Sequence, residues 1–148
     1  MPAESAIMAR RILVVDDELY VTQLLAFILR RVGDEVTTAD EGELAMQQAA
    51  QLQPDLIIAD YQMPLIDGIE MCRRLKVNPA TANIPVLMLT ARGHRLTPAE
   101  LQSTNVRCLL AKPFSPRELL GKVQDLIGVA HGGAPTQANG DERKAAVA

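Results

Sequence analysis

The stretch PDLIIADYQMPLIDG, residues 54–68, runs apolar from Leu56 to Ala59, stops on a bare carboxylate at Asp60, and turns through Met63-Pro64 to Asp67-Gly68. A run that is apolar at consecutive positions offers no polar face to water, so it suits a strand covered by helices on both sides of a parallel sheet. Three other runs share this character: RILVVD from Arg11, IPVLMLT from Ile84 and VRCLLAK from Val106. Longer segments of helical period separate them, and strict alternation of strands and helices predicts an α/β domain. The run DEVTT (34–38) is shorter and more polar, which suits a sheet edge.

The helix starts carry their own signals. Asp40, Asp67, Thr97 and Ser115 each stand three residues before a Glu (Glu43, Glu70, Glu100, Glu118). That spacing lets the cap and the Glu satisfy each other's orphan N–H groups, and Pro98 and Pro116 fall at the first helical position. In the first helix Val21, Leu24, Leu25, Ile28 and Val32 form one apolar stripe; Leu119, Leu120, Val123 and Ile127 form another in the last. Gly33 and Gly128 sit where those two helices should stop. The pattern predicts five strands and five helices in one domain over residues 10–128. A polar lead-in (1–9) and a Gly- and Ala-rich flexible tail (129–148) flank it.

Bulk composition narrows the classes of function. The 148 residues carry a net charge of −3, with Arg10-Arg11, Arg30-Arg31 and Arg73-Arg74 as dispersed doublets rather than a basic block. A phosphate-backbone binder needs a basic face, and aromatics at 3% with no Trp supply no stacking platform, so direct nucleic-acid binding is not expected. Two Cys (Cys72, Cys108) and two His (His94, His131) in no ligand spacing exclude a zinc motif. The cysteines read as reduced, buried hydrophobes. There is no membrane-length apolar run and no signal-peptide pattern, so a cytoplasmic protein with no membrane partner is expected.

The strand ends carry the chemistry. Strand one ends at Asp16, followed by Asp17; strand three ends at Asp60, strand four at Thr90, and strand five at Lys112 before Pro113. In a parallel sheet these ends share one edge, where open α/β folds place their sites. A single Asp at a strand end is more often a helix cap or a solvated charge. Three together repel one another, and one ammonium cannot neutralise them, so a divalent cation is implied. Oxygen ligands in a half-open site suit Mg²⁺, with Mn²⁺ as a substitute. Asp60 then fits a nucleophile in phosphoryl transfer, with Lys112, the Thr90 hydroxyl and the backbone N–H groups after Thr90 to stabilise the phosphoryl oxygens. The small Ala91 leaves room for the group.

Taken together, Asp16-Asp17, Asp60 with its following Met-Pro and Asp-Gly, Thr90-Ala91 and Lys112-Pro113-Phe114 resemble the receiver domain of two-component response regulators, of the single-domain chemotaxis-regulator type. The resemblance covers residues 10–128 and implies a flavodoxin-like (βα)5 fold, a doubly wound parallel sheet in strand order 2-1-3-4-5. It implies that Asp60 takes a phosphoryl group from a sensor histidine kinase or phosphotransfer protein. Asp17, Asp60 and the backbone carbonyl of Gln62 would ligate Mg²⁺, with Asp16 acting through water. Lys112 would pair with the phosphate and Thr90 would swing towards it, so that the helix near 98–104, strand five and the last helix present a changed surface to a downstream protein target. Such a chain is no conventional enzyme: it catalyses its own phosphotransfer and slow autodephosphorylation. The Lys112–Pro113 bond is expected to be cis. By the same resemblance, Gln62, Ala91 and Arg92 would occupy positions that tune acyl-phosphate lifetime. Leu109 departs from the family, replacing the usual aromatic switch residue three positions before the lysine. The resemblance leaves room for a weak homodimer.

Rival readings are poorer fits. A haloacid-dehalogenase-type phosphatase would carry Asp-x-Asp after strand one, where this chain has Asp16-Asp17-Glu18. A flavin or nucleotide binder would need a Gly- or Ser/Thr-rich phosphate loop at the same place. A scaffold independent of phosphorylation, or the N-terminal receiver portion of a longer regulator or hybrid kinase, are the serious alternatives to a stand-alone receiver.

Overall fold

A computed structural model describes residues 9–129. Except for their innermost residues, the lead-in and tail expected from the sequence lie outside that range. The elements are β1 (Arg11–Val15), α1 (Leu19–Arg31), β2 (Glu35–Ala39), α2 (Gly42–Leu52), β3 (Leu56–Asp60), α3 (Gly68–Val77), β4 (Val86–Ala91), α4 (Pro98–Ser103), β5 (Val106–Lys112) and α5 (Pro116–Ile127). The strands form one parallel sheet in the order β2-β1-β3-β4-β5, with polar β2 at an edge as its composition predicts.

Strand periodicity of two sorts the core into two layers. Leu13, Val15, Ile57, Ala59 and Met88 face one side, where Ala45 and Ala49 of α2 and Met71, Cys72 and Leu75 of α3 cover them. Ile12, Val14, Leu56, Ile58, Leu87 and Leu89 face the other, against Leu25, Ile28 and Leu29 of α1 and Leu119 and Val123 of α5. Burial on both faces is what the unbroken apolar runs require.

The helix details depart from expectation in instructive ways. In α1 the buried set is Thr22, Leu25, Ala26 and Leu29 with Ile28, an i, i+3, i+4, i+7 pattern. Leu24 lies outside that stripe and is exposed, as are Leu19, Tyr20 and Phe27, and Val21 is half-buried. Thr97 with Glu100 and Ser115 with Glu118 form full reciprocal caps. Asp67 accepts from the Glu70 N–H, but the Glu70 carboxylate turns to Arg74 (2.9 Å) and Arg73 (3.4 Å) instead of back to the cap. Asp40 does not cap at all: α2 starts at Gly42, with Glu41 at the cap position and no side-chain bond. A Cβ at Gly42 would stand 2.6 Å from the Ile66 side chain, so the first turn of this helix packs closely on Ile66. Cys72 is buried as expected, its thiol pushed up to about 12 by burial and by Asp67, whereas Cys108, on the edge strand β5, is only half-buried.

At the N-terminal end of the sheet, Arg10 is buried and grips Asp34 through two hydrogen bonds of 2.7 Å, while its third nitrogen donates to the Gly128 carbonyl at 2.6 Å. This clamp joins the start of β1, the α1–β2 turn and the end of α5. Gly128 takes φ +91°, a left-handed value that glycine adopts without strain. No helix among the described residues is long and apolar enough to cross a membrane.

Candidate functional site

The opposite, C-terminal edge of the sheet brings together residues far apart in the chain. Asp16 follows β1, and its backbone N–H donates to the Ala39 carbonyl at 3.1 Å, which fixes it against β2. Asp60 closes β3, Thr90 stands next to last in β4, and Lys112 closes β5. Register pairs Thr90 with Ala111 and Ala91 with Lys112, so hydroxyl and ammonium arrive at the same level. Asp16, Asp17 and Asp60 each offer a carboxylate oxygen within 4.8 Å of the others. The Lys112 ammonium lies 3.1 Å from Asp60 Oδ1 and 3.6 Å from Asp16 Oδ2. The expected convergence of carboxylates and ammonium is present.

The electrostatics expose an imbalance. Asp16 is fully buried; its Oδ1 accepts the Glu18 N–H at 2.9 Å, but its Oδ2 has no hydrogen-bond partner. Burial raises its pKa from 3.8 to about 6, against the lowering effect of the Glu18 N–H, and the charge of Asp60 raises it further. Burial works to lower the pKa of Lys112, yet the Asp60 and Asp16 carboxylates outweigh it and hold the ammonium more firmly protonated than usual. One cation against three carboxylates leaves this buried oxygen without a hydrogen bond, faced only by the ammonium at 3.6 Å. An all-oxygen donor set with that deficit fits a hard divalent ion such as Mg²⁺.

The cluster opens into a cleft of about 860 Å³ lined also by Gln62, Ala91 and Arg92. Thr90 lines it too, although little of its side chain reaches solvent. Leu109 stands elsewhere: it is half-buried and packs against the α2–α3 side of the core. The Lys112–Pro113 bond is cis, as expected.

Two features have no sequence signal of their own, and a third, Gly68, is marked there only as part of the Asp67-Gly68 pair. Tyr61 and His94 line the cleft with their rings 4.2 Å apart. Leu65, 88% exposed with φ +72°, projects from the β3–α3 loop in a backbone region that L-residues seldom adopt. Gly68 is pressed against the end of β3: its N–H donates to the Tyr61 carbonyl at 2.9 Å, and a Cβ there would stand 2.5 Å from the Asp60 carbonyl oxygen and 3.2 Å from Tyr61 Cα. Gly68→Ala must therefore push backbone against backbone. We expect it to cost about 1–3 kcal/mol in urea unfolding and to weaken Mg²⁺ binding, since Asp60 is displaced. Unchanged stability and affinity would show that the loop absorbs the methyl.

The fold and site define a doubly wound α/β domain whose acidic cleft lies at the point where strand order reverses, between β1 and β3. Residues 12–124 match the response regulator receiver domain, and the chain belongs to that family. It is 38% identical over 120 residues to the phosphate regulon transcriptional regulatory protein PhoB of Escherichia coli, covering 81% of this chain and 52% of PhoB. It is 37% identical over 129 residues to the alkaline phosphatase synthesis transcriptional regulatory protein PhoP of Bacillus subtilis, covering 87% of this chain and 53% of PhoP. The chain thus spans about half the length of the curated relatives it matches. Among solved structures, the chemotaxis response regulator CheY4 of Vibrio cholerae superimposes with TM-score 0.75 at 30% identity, over 80% of this chain and 99% of that one. The receiver domain of the sensor histidine kinase PA1611 of Pseudomonas aeruginosa, solved with a magnesium ion in its active-site cleft, gives TM-score 0.73 at 27% identity, over 81% of this chain and 98% of that one.

Proposed function

We propose that this chain is a phosphorylation-dependent signalling switch in which Asp60 accepts a phosphoryl group from a phosphohistidine of a sensor histidine kinase or phosphotransfer protein. The observation that carries the reading is the convergence of three carboxylates from two strand ends, two of them facing the Lys112 ammonium at 3.1 Å (Asp60) and 3.6 Å (Asp16). Asp17, Asp60 and the Gln62 carbonyl would hold Mg²⁺, or Mn²⁺ in its place, with Asp16 acting through water. The bound ion offsets the carboxylate charge and the negative charge of the transferred group. An Asp60 oxygen attacks phosphorus, the bond from phosphorus to the imidazole nitrogen breaks, and the electron pair stays with the imidazole. Lys112 then pairs with a phosphoryl oxygen and the Thr90 hydroxyl donates to another.

The aspartyl phosphate adds up to two charges and three acceptors at the sheet edge. Drawn inward, Thr90 moves the β4–α4 segment and α4, a helix of 6 residues none of which is buried and so lightly held. The face of α4, β5 and α5 then meets its protein target in a second arrangement. With Leu109 in the switch position, that shift proceeds without an aromatic rotamer.

A stand-alone receiver that docks onto another protein in the cytoplasm suits this mechanism. The half-length match to PhoB and PhoP favours a second arrangement, in which the same switch is the receiver portion of a longer regulator. The size of the native polypeptide on a blot separates the two.

Incubation with Mg²⁺ and a small acyl phosphate should add one phosphoryl group by mass, and Asp60→Asn should abolish the addition. A wild-type protein that takes up no phosphate, or an Asp60→Asn variant that still does, overturns the proposal in favour of a phosphorylation-independent scaffold or another acceptor.

A further inference from the structure

The cleft has an aromatic wall for which the acceptor, the metal ligands and Lys112 give no reason. Tyr61 directly follows the acceptor and is held at both backbone groups: its N–H donates to the Leu89 carbonyl and its carbonyl accepts the Gly68 N–H, each at 2.9 Å. Its side chain is half-buried against the α2–α3 side of the core. The His94 ring lies against it, centroids 4.2 Å apart and planes tilted by 51°. His94 also closes a turn, its N–H donating to the Ala91 carbonyl at 3.1 Å. Within that turn Gly93 has φ +85° and open space on every side of a built Cβ. The His94 Nε2 atom is shut away from solvent with no hydrogen-bond partner, an arrangement that costs free energy unless the ring contact offsets it.

We propose that His94 is a positioning residue: its contact with Tyr61 holds the β4–α4 turn, with Ala91 and Arg92, down against the cleft and so restricts the approach of water to a phosphorylated Asp60. This rests on the reading of Asp60 as the phosphoacceptor. In the step it slows, a water oxygen attacks phosphorus and the bond from phosphorus to the Asp60 oxygen breaks. Asp60 returns as carboxylate, and inorganic phosphate and a proton pass to solvent. Tyr61 is the fixed half of the contact and the turn is the moving half.

The test follows the decay of the phosphorylated full chain after the acyl-phosphate donor is removed. His94→Ala should speed decay about three- to tenfold, the range an aromatic pair of ordinary strength supports. His94→Phe, which keeps a ring and loses the nitrogens, should restore the slow decay. Tyr61→Leu should match His94→Ala, and the double variant should add nothing further. Mg²⁺ affinity should stay unchanged in both His94 variants. In the unphosphorylated protein, amide exchange at residues 92–96 should rise in His94→Ala and recover in His94→Phe. Unaltered decay in His94→Ala overturns the proposal, as does a His94→Phe that decays as fast as His94→Ala. Exchange that responds as stated in a protein that takes up no phosphate would leave the ring contact standing and remove its role at Asp60.

Discussion

Asp34→Ala is expected to lower the unfolding free energy by about 3–5 kcal/mol, the usual penalty for removing one partner from a buried ion pair. Arg10 is 6% exposed and spends three nitrogens on the interior, two on Asp34 and one on the Gly128 carbonyl. Without Asp34 the guanidinium keeps its charge in a place water does not reach. Domains of this size hold only about 5–15 kcal/mol in total, so the loss is a large fraction of it. The paired change Arg10→Met with Asp34→Leu, which removes both charges and restores volume, should recover most of the loss. Urea unfolding measures both, and the midpoint should move while the slope stays constant. Mg²⁺ binding should be untouched in the folded fraction, because the clamp sits at the other end of the sheet from Asp60. A loss under about 1 kcal/mol would mean that water or a neighbouring acceptor takes over from Asp34.

The second large effect lies in the acidic cleft. In the metal-free protein the Asp16 carboxyl titrates near 6 against 3.8 for an ordinary Asp, chiefly because it is buried. The folded state therefore holds this proton more tightly than the unfolded chain does. That contribution to stability is fully present below about pH 3.8 and is lost as pH rises through about 6. Metal-free protein should accordingly lose thermal stability between about pH 4 and 7, and Asp16→Asn should flatten that window. Metal reverses the trend, because it needs the deprotonated cluster. Mg²⁺ at a hundredfold above its Kd should add about 2.7 kcal/mol at neutral pH. Its affinity should fall by about tenfold per pH unit below pH 6, as one proton must leave for each ion bound. Thermal melts with and without Mg²⁺ across this range provide the check, and a metal effect equal at pH 5 and pH 7.5 would contradict the assignment of the ion to this cluster.

Strand positions and the acidic edge were readable in the sequence because buried parallel strands leave a coarse mark. Runs such as Leu56–Ala59 cannot hide a polar group, so the first charged residue after each run marks the end of the strand. Asp16, Asp60 and Lys112 are legible in that way, and a parallel sheet puts such ends along one edge. Helix faces were harder to read, since adjacent leucines lie 100° apart around the axis and only packing decides between them. Leu25 went inward and Leu24 outward. Arg10 and Arg11 look alike in the chain, yet one is buried in a clamp and the other reaches the surface. Asp40 satisfies the spacing of a cap, but α2 begins at Gly42 with Glu41 at the cap position and no side-chain bond. The Tyr61–His94 contact and the pressure of Gly68 on the Asp60 carbonyl depend on how two loops meet, and no periodicity encodes that.

The fastening of Gly128 by Arg10 has a practical outcome for anyone handling the protein. A surface tether, affinity handle or fluorescent partner joined beyond residue 129 starts from the pole of the molecule remote from the acidic mouth, about 17 Å away along a five-residue strand. Bulky donors would then approach an immobilised sample unobstructed, whereas an attachment at Leu19 or Tyr20 would stand beside the entrance.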